Sequence, residues 1–275
     1  MKEIFIQCYR VLKKTGSLYL HCDWHASHYL KIELDKTFKR KNFRNEIVWR
    51  RHNAHNDTKQ GAKSFGKIHD VILFYTKTGK YTWNPMYEPY PNEYVKKYYN
   101  HVEPTTNRLY ALGDLSGPGG RTKGNPRYKF LGITRYWRYG EKTMKRLYRE
   151  GRIIKRRKGT VPLLKRYLDE MKGIMLQDVW NDIVSVQLSR KENVGYPTQK
   201  PLKLLERIIQ ISSNEKEIVL DPMCGSGSIL VASHNLGRYF IGIDSNPQAV
   251  RIAKKRIKSR AILKPKMVYP VLSIN

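Results

Sequence analysis

The chain has 275 residues and combines 53 Lys and Arg with 23 Asp and Glu, which gives a formal net charge of +30. This length allows one large domain or two small ones. A charge this large repels itself in a compact state unless a polyanion offsets it, so nucleic acid is the first partner to consider, with a generally basic surface as the alternative. The three cysteines form no CxxC pair, and no signal peptide or long apolar run occurs, so we expect a cytoplasmic location without membrane association.

The first part of the chain, residues 1–80, alternates helical and strand patterns. The predicted elements are a helix at Glu3–Lys14, a strand at Ser17–Cys22, a helix at Trp24–Phe38 and strands at Glu46–Arg50 and His69–Tyr75. This alternation predicts the amino-terminal part of an α/β domain.

Residues 81–190 are predicted to form an inserted region, because their composition differs from that of the residues before and after them. Residues 81–136 are rich in Tyr, Pro, Gly and Asn and are expected to be loop-rich, whereas Glu141–Glu150 has a short basic helix pattern. Between residues 121 and 172 Lys and Arg far outnumber the acids and alternate with aromatic residues, which supplies cations for phosphates and flat faces for bases. The candidate DNA-binding residues are Arg135, Arg138, Lys142, Lys145 and Arg146.

The most informative stretch lies in the last predicted region, residues 191–275. An apolar run at Glu217–Leu220 leads into a glycine turn and an apolar helix pattern, and a second run at Tyr239–Asp244 ends in an acid. Glycines let the backbone approach a ligand closely, and the following carboxylate stands where it can accept hydrogen bonds from ribose hydroxyls. The pattern predicts a nucleotide-type cofactor site.

One strand of the expected sheet is missing from the sequence. In a doubly wound sheet the ligand crevice lies where the strand order reverses. One half of the sheet is formed by the strands that end near Asp221 and Asp244. The other half starts with a strand, a helix and then the Ser17–Cys22 strand, and this chain begins at that helix. We therefore expect a strand, with a loop that faces the cofactor, to be absent from the 275 residues.

Motifs along nearly the whole chain resemble the β group of amino-directed DNA methyltransferases, in that family's order. The matching segments are Gly16–Lys31, Phe43–Arg50, His69–Lys77, Tyr136–Tyr139, Lys165–Gly173, Leu176–Ile183, Gly195–Ile209, DPMCGSGS from Asp221 and GRYFIGID from Gly237. The resemblance implies an α/β fold with a doubly wound, Rossmann-like sheet, a circularly permuted motif order and an inserted target-recognition region. It also implies methyl transfer from S-adenosylmethionine to the exocyclic amino group of a base in double-stranded DNA. Adenine is favoured over cytosine because the closest-looking relatives are adenine enzymes.

The resemblance further implies roles for individual residues. The turn that cradles the methionine end of the cofactor maps to Asp221, Pro222, Met223, Cys224, Gly225, Ser226 and Gly227. The acid that holds the ribose maps to Asp244, and the segment that supports the cofactor maps to Gln199, Lys200 and Pro201. Met223 stands where Phe is usual, a change that is expected to alter packing more than chemistry.

The catalytic residues are unknown from the sequence. The family's catalytic tetrapeptide, an acid, Asn or Ser followed by Pro-Pro and an aromatic, does not occur, and the nearest string, Asn84-Pro85-Met86-Tyr87, lies outside the motif's expected context. We therefore expect a truncated enzyme that is weak or inactive alone. The alternatives are a cytosine-N4 DNA methyltransferase, a non-catalytic DNA-binding or specificity subunit of a modification system, and an RNA methyltransferase. A homodimer or a restriction partner is left open.

Two further features each have two interpretations. His21, Asp23, His25 and His28 resemble metal ligands, but a strand end followed by a helix capped by Asp23 explains them better. No metal is predicted, since methyl transfer from a sulfonium needs none. Cys224 is either a nucleophile or a small packed thiol, and its place inside the cofactor turn favours the thiol.

Overall fold

The computed structural model describes residues 1–52, 61, 63–155, 157, 159–188, 192–261 and 271–273. The helices are α1 (Lys2–Val11), α2 (Ser27–Phe38), α3 (Asn92–Tyr98), α4 (Glu141–Arg149), α5 (Leu202–Ser212), α6 (Ser228–Asn235) and α7 (Pro247–Ala261). The first strands are β1 (Ser17–Cys22), β2 (Phe43–Arg50), β3 (His69–Thr76), β4 (Tyr87–Glu88), β5 (His101–Val102), β6 (Leu109–Asp114), β7 (Arg127–Phe130) and β8 (Ile133–Tyr136). The remaining strands are β9 (Ile153–Ile154), β10 (Leu163–Tyr167), β11 (Ile174–Met175), β12 (Val179–Trp180), β13 (Ile218–Asp221), β14 (Tyr239–Asp244) and β15 (Val271–Ser273).

The chain divides into two compact units. Unit 1 comprises Met1–Met86 and Gln177–Asn275, and unit 2 comprises Tyr87–Leu176. The sequence predicts an insert at residues 81–190. None of the described helices is both long and apolar enough to cross a membrane.

A four-stranded sheet in unit 1 has the order β1-β3-β2-β12. β3 runs antiparallel to both β1 and β2, whereas β12 is parallel to β2. β3 is buried along nearly its whole length, which explains its continuous apolar run. Helices α1 and α2 cover one face of the sheet, where Phe5, Leu34 and Phe38 pack with Leu73 and Tyr75.

A second sheet in unit 1 contains three parallel strands in the order β13-β14-β15. Helices α6 and α7 pack on it, and Leu230, Phe240 and Val250 lie in their shared core. Gly242 in β14 is required by this packing, since a Cβ there would lie 2.5 Å from Cδ1 of Leu230. The strand-turn-helix-strand unit predicted around Asp221 is therefore present.

The mixed α/β architecture agrees with the predicted fold class, but the described strands of unit 1 form two sheets where the sequence predicts one. β1 pairs with β3 and β13 pairs with β14, and each stands at the edge of its sheet among the strands that the structure describes. Residues of both edge strands line one cavity. This cavity therefore lies between the two halves of the expected doubly wound sheet.

Unit 2 is more regular than the sequence predicts. It contains a sheet of order β5-β6-β10-β9, the hairpin β7–β8 and the pair β4–β11. Residues 81–136, predicted to be loop-rich, contain α3 and five short strands joined by loops. Its strands are two to six residues long, too short for an alternating pattern to be visible among Gly, Tyr and Asn. Trp137, Met144 and Leu147 form part of the core beneath α4.

Candidate functional site

The turn between β13 and α6 is tied to both neighbouring strands by backbone hydrogen bonds. The N–H of Gly225 donates to Oδ2 of Asp244 at 2.7 Å, and the N–H of Met223 donates to Oδ1 of Asp221 at 2.9 Å. The N–H of Cys224 donates to the carbonyl of Ile243 at 2.9 Å. The acids at the ends of β13 and β14 thus shape the turn that the sequence assigns to the cofactor.

Two glycines of this turn have left-handed backbone conformations, with φ of 50° at Gly225 and 75° at Gly227. A Cβ on Gly227 would also lie 2.7 Å from Cβ of Ala253 in α7. A Cβ on Gly225 would lie 3.1 Å from Cε1 of Tyr196, a residue to which the sequence gives no role. Backbone conformation and crowding therefore both require glycine at these positions.

A cavity of about 680 Å³ lies beside the turn, within the size range of small-molecule sites. It brings together most of the predicted cofactor residues, namely Asp221, Pro222, Met223, Cys224, Gly225, Ser226, Gln199 and Lys200. Gly227, Asp244 and Pro201 lie outside its lining. α1, β1 and α5 supply other parts of the wall.

The Gln199–Pro201 segment is held by its own local hydrogen bonds. Oε1 of Gln199 accepts from the N–H of Val194 at 2.9 Å, and its Nε2 donates to the carbonyl of Glu192 at 2.7 Å. Pro201 is the N-cap of α5, where a missing N–H costs nothing. Gln199 and Pro201 therefore position the segment, which leaves Lys200 as the cation that it brings to the cavity wall.

A polar cluster that sequence reasoning missed lies at the carboxyl end of β1. Nε2 of His21 is 2.9 Å from Oδ2 of Asp70, and Nε of Arg51 is 3.2 Å from Oδ1 of Asp70. Burial lowers the pKa of His21 and also that of Lys200. Burial opposes the charge of Asp70, but its hydrogen bond with His21 and the nearby cations hold its pKa below the ordinary value. Nε2 of His21 and Nε of Arg51 thus both face the Asp70 carboxylate, and burial disfavours the charged form of the His21 ring.

The other residues weighed as metal ligands also have different partners. Oδ1 of Asp23 accepts from the N–H of Ala26 at 3.0 Å, which caps the turn before α2, and α2 begins at Ser27 rather than at the predicted Trp24. His25 stacks on Trp24, with ring centroids 3.5 Å apart. In the described part of the chain, no three His, Cys, Asp or Glu side chains are grouped so as to hold a metal ion.

Burial changes the chemistry of two side chains in the turn. It raises the pKa of Asp221 to about 6, and the charge of Asp244 raises it further in the same direction. It also raises the pKa of the Cys224 thiol to about 12. Because a nucleophilic cysteine must be a thiolate, a buried and protonated Cys224 favours the packed-thiol interpretation.

Comparison with known proteins decides the family. The sequence profile of the N6/N4 DNA methylase family matches residues 1–255. The chain belongs to this DNA methylase family. It is 32% identical over 260 residues to the type II methyltransferase M.EcaI of Enterobacter cloacae, a match that covers 93% of the chain and 56% of M.EcaI. It is 27% identical over 259 residues to the DNA adenine methyltransferase YhdJ of Escherichia coli K12, with 93% of the chain and 65% of YhdJ covered.

The methylase chain therefore spans about half to two-thirds of the length of these relatives. Among solved structures it is similar to the M1.HpyAVI–SAM complex, with a TM-score of 0.51, 19% sequence identity and coverage of 93% of this chain and 81% of that one. This likeness supports the methyltransferase-type α/β fold.

In the methylase, the segment Asn84-Pro85-Met86-Tyr87 has a structural role. Nδ2 of Asn84 donates to the carbonyls of Gln210 at 2.9 Å and Ser213 at 3.1 Å, and the N–H of Asn84 donates to the carbonyl of Ile211 at 2.8 Å. These bonds satisfy carbonyls that the end of α5 leaves without helical partners. The Asn84 side chain is thus used to cap a helix.

The five DNA-binding candidates of the methylase all lie on the surface of unit 2, in or next to β8 and α4. Lys145 pairs with Glu141 at 2.8 Å and Arg146 pairs with Glu150 at 2.7 Å, both along the exposed face of α4. Such surface pairs hold their partners weakly. All five cations are accessible to a polyanion, and their role in DNA binding stays a prediction.

Proposed function

We propose that this protein transfers a methyl group from S-adenosylmethionine to the exocyclic amino group of adenine in double-stranded DNA. The observation that carries the proposal is the single cavity shared by the Asp221–Ser226 turn and by Lys200. Family membership supports the reaction class, and the name of YhdJ as an adenine methyltransferase supports adenine as the target.

The turn, Lys200 on the cavity wall and Asp244 just outside the lining have groups that fit this cofactor. Glycines at positions 225 and 227 leave the turn without side chains, so a ligand can lie against its backbone. Lys200 offers an ammonium group suited to a carboxylate, as at the methionine end of S-adenosylmethionine. Each oxygen of Asp244 accepts one backbone N–H, from Gly225 or Asn246, and has a further lone pair for a ribose hydroxyl.

The chemical step needs few functions from the protein. S-adenosylmethionine supplies a methyl group on a positively charged sulfur, which a neutral amine can attack directly. The protein must hold the amine in line with this methyl group and must accept hydrogen bonds from the amine. The family's tetrapeptide for this task does not occur in the 275 residues. We therefore infer that the chain alone binds cofactor and DNA but transfers methyl groups poorly.

One observation favours a second candidate function, that of a subunit whose partner supplies the catalytic loop. β1 and β13 both border the cavity with no strand between them in the described residues. Unpaired strand edges accept additional strands from other chains. A restriction or modification protein that carries the tetrapeptide would be such a partner. A homodimer is a separate proposal, because a second copy lacks the same tetrapeptide. A cytoplasmic location is proposed in either case.

Two measurements test the proposed function. Titration calorimetry with S-adenosylmethionine is expected to detect binding by the 275-residue chain. Duplex DNA incubated with tritiated cofactor, digested to nucleosides and analysed by mass spectrometry is expected to contain N6-methyladenine, in greater amounts when a polypeptide with the missing tetrapeptide is added. N4-methylcytosine in its place would support the cytosine alternative. Rapid turnover by the chain alone would contradict the expectation that it lacks a catalytic element.

A further inference from the structure

Unit 2 contains a concave surface lined by four arginines, Arg138, Arg146, Arg152 and Arg166, with an opening of about 470 Å³. We propose that this surface, the arginine concavity, binds a phosphate of the DNA backbone. The proposal rests on the proposed function, because it specifies how the same protein would hold its DNA substrate. Arg152 and Arg166 are not among the DNA-binding residues that the sequence predicts.

Separate elements bring the four arginines together. Arg138 follows β8, Arg146 lies on α4, and Arg152 lies between α4 and β9, whereas Arg166 lies on β10. Thr143 adds a hydroxyl group to the same lining. No Asp or Glu belongs to the lining, so the concavity favours an anion.

The positive charge of the concavity is only partly neutralised. Arg146 pairs with Glu150, and Arg152 pairs with Glu170. For Arg138 and Arg166, no carboxylate lies within ion-pairing distance among the residues whose positions are known. Two guanidinium groups are therefore available to a ligand without breaking an ion pair, and Nε of Arg152 is buried without a hydrogen-bond partner.

Arg166 is held in place by the sheet instead of by a carboxylate. Its guanidinium lies against Gly113 of β6, where a Cβ would be only 2.5 Å from Nε and 2.9 Å from Cζ. Arg166 itself pairs in register with Ala111 of the same strand. Small residues on β6 thus make room for the side chain. A side chain that packs against a strand has less conformational freedom to lose on binding.

The chemistry of the lining indicates a phosphate. Guanidinium groups are planar, permanently charged forks that match phosphate oxygens with two hydrogen bonds each. A phosphodiester carries one negative charge, which suits two arginines without a carboxylate ion pair beside two that have one. Contacts of this kind fix the position of a protein on the duplex and carry no base information.

The test compares duplex DNA binding by Arg166→Gln with that by Arg149→Gln, measured by fluorescence anisotropy of a labelled duplex at several salt concentrations. Arg149 is exposed on α4 and lies outside the concavity, so it provides the same charge change at a neighbouring site. Arg166→Gln is expected to weaken binding roughly tenfold on every sequence and to reduce the salt slope by about 1. Arg149→Gln is expected to change the dissociation constant less than about twofold.

A second variant leaves the net charge unchanged. Gly113→Ala adds a methyl group where the Arg166 guanidinium lies and displaces it, so a loss similar to that of Arg166→Gln is expected. Circular dichroism melting checks that all variants are folded. Equal effects of Arg166→Gln and Arg149→Gln, or tighter binding of an RNA duplex of the same sequence, would overturn the proposal. A wild-type chain that binds no DNA would contradict the proposed function as well, whereas normal binding by both concavity variants would contradict only this site.

Discussion

The backbone N–H of Gly225 donates a 2.7 Å hydrogen bond to the carboxylate of Asp244, across the ends of two adjacent parallel strands. The second oxygen of the same carboxylate accepts from the N–H of Asn246 at 2.9 Å. Asp244 therefore fixes the glycine turn through Oδ2 and the segment after β14 through Oδ1. Loss of this residue should affect both the stability of the turn and the binding of a cofactor.

Asp244→Asn tests this double role. An amide has only one acceptor oxygen, so one of the two backbone N–H groups loses its partner and faces an NH₂ group. We expect S-adenosylmethionine binding to weaken roughly tenfold, the equivalent of about 1.4 kcal/mol, as measured by calorimetry. Asp178→Asn, at an exposed position of unit 1, is the matched control and should bind the cofactor normally. Equal affinities of the two variants would rule out a role for Asp244.

Gly227→Ala should destabilise the protein more than Gly237→Ala. Both glycines have left-handed backbones, with φ of 75° and 71°, so alanine strains both by about 1 kcal/mol. A Cβ at position 227 also meets Cβ of Ala253 at 2.7 Å, whereas no atom lies within 4 Å of one at position 237. We expect a loss of about 3 kcal/mol for Gly227→Ala, measured by urea unfolding. Similar losses in both variants would show that crowding by α7 is unimportant.

The stability of the protein should depend on the ionisation of Asp221. Burial raises the pKa of this carboxyl from 3.8 to about 6 in the folded state. Below about pH 4 it is protonated in both states, and above that the unfolded state ionises first. The contribution of Asp221 to the free energy of unfolding is therefore full at low pH and is lost as the pH rises through 6. We expect the free energy of unfolding to fall by about 2 kcal/mol between pH 4 and 7, relative to that of Asp221→Asn.

Urea unfolding of both proteins at pH 4, 5, 6 and 7 measures this difference. Asparagine keeps the acceptor for the N–H of Met223 but cannot ionise, so it is the matched reference. Parallel stability curves for the two proteins would mean that Asp221 is ionised in the folded state at ordinary pH.

Arg207→Gln should lower the free energy of unfolding far more than Lys203→Gln, although both cations bind Asp182. Arg207 is buried and donates to the two oxygens of Asp182 at 2.8 and 2.6 Å, while its guanidinium lies 5.1 Å from the ring centroid of Trp180. Lys203 is 64% exposed at 3.1 Å from the same carboxylate. We expect losses of about 3 kcal/mol for Arg207→Gln and less than about 0.5 kcal/mol for Lys203→Gln, measured by urea unfolding. Losses of equal size would mean that the buried position adds nothing.

The glycine turn between β13 and α6 was predictable because its signals are local. The apolar run before Asp221, the glycines and the second apolar run before Asp244 are contiguous in sequence, and the structure contains the predicted strand, helix and strand there. The cluster of His21, Arg51 and Asp70 was not predictable. Its residues meet because β3 pairs antiparallel with both β1 and β2, with His21 opposite Ile72 and Trp49 opposite Asp70, and no local pattern specifies those registers.

The arginine concavity could not be predicted from the sequence for a related reason. Basic composition identifies the region that contains Arg138 and Arg146, but the place of Arg166 depends on the pairing of β10 with β6 and on Gly113 in the partner strand. Two-residue strands such as β9 and β11 likewise depend on tertiary pairing and have no periodicity of their own.

The edge strand β13 has a consequence for how the protein behaves in solution. Its side chains Ile218 and Leu220 are 57% and 37% exposed, and one edge of β13 has no partner strand among the described residues, a combination that promotes self-association. The net charge of +30 opposes this attraction by keeping copies apart. Added salt screens that repulsion but leaves apolar attraction intact. A high-salt buffer is therefore expected to increase self-association of the protein.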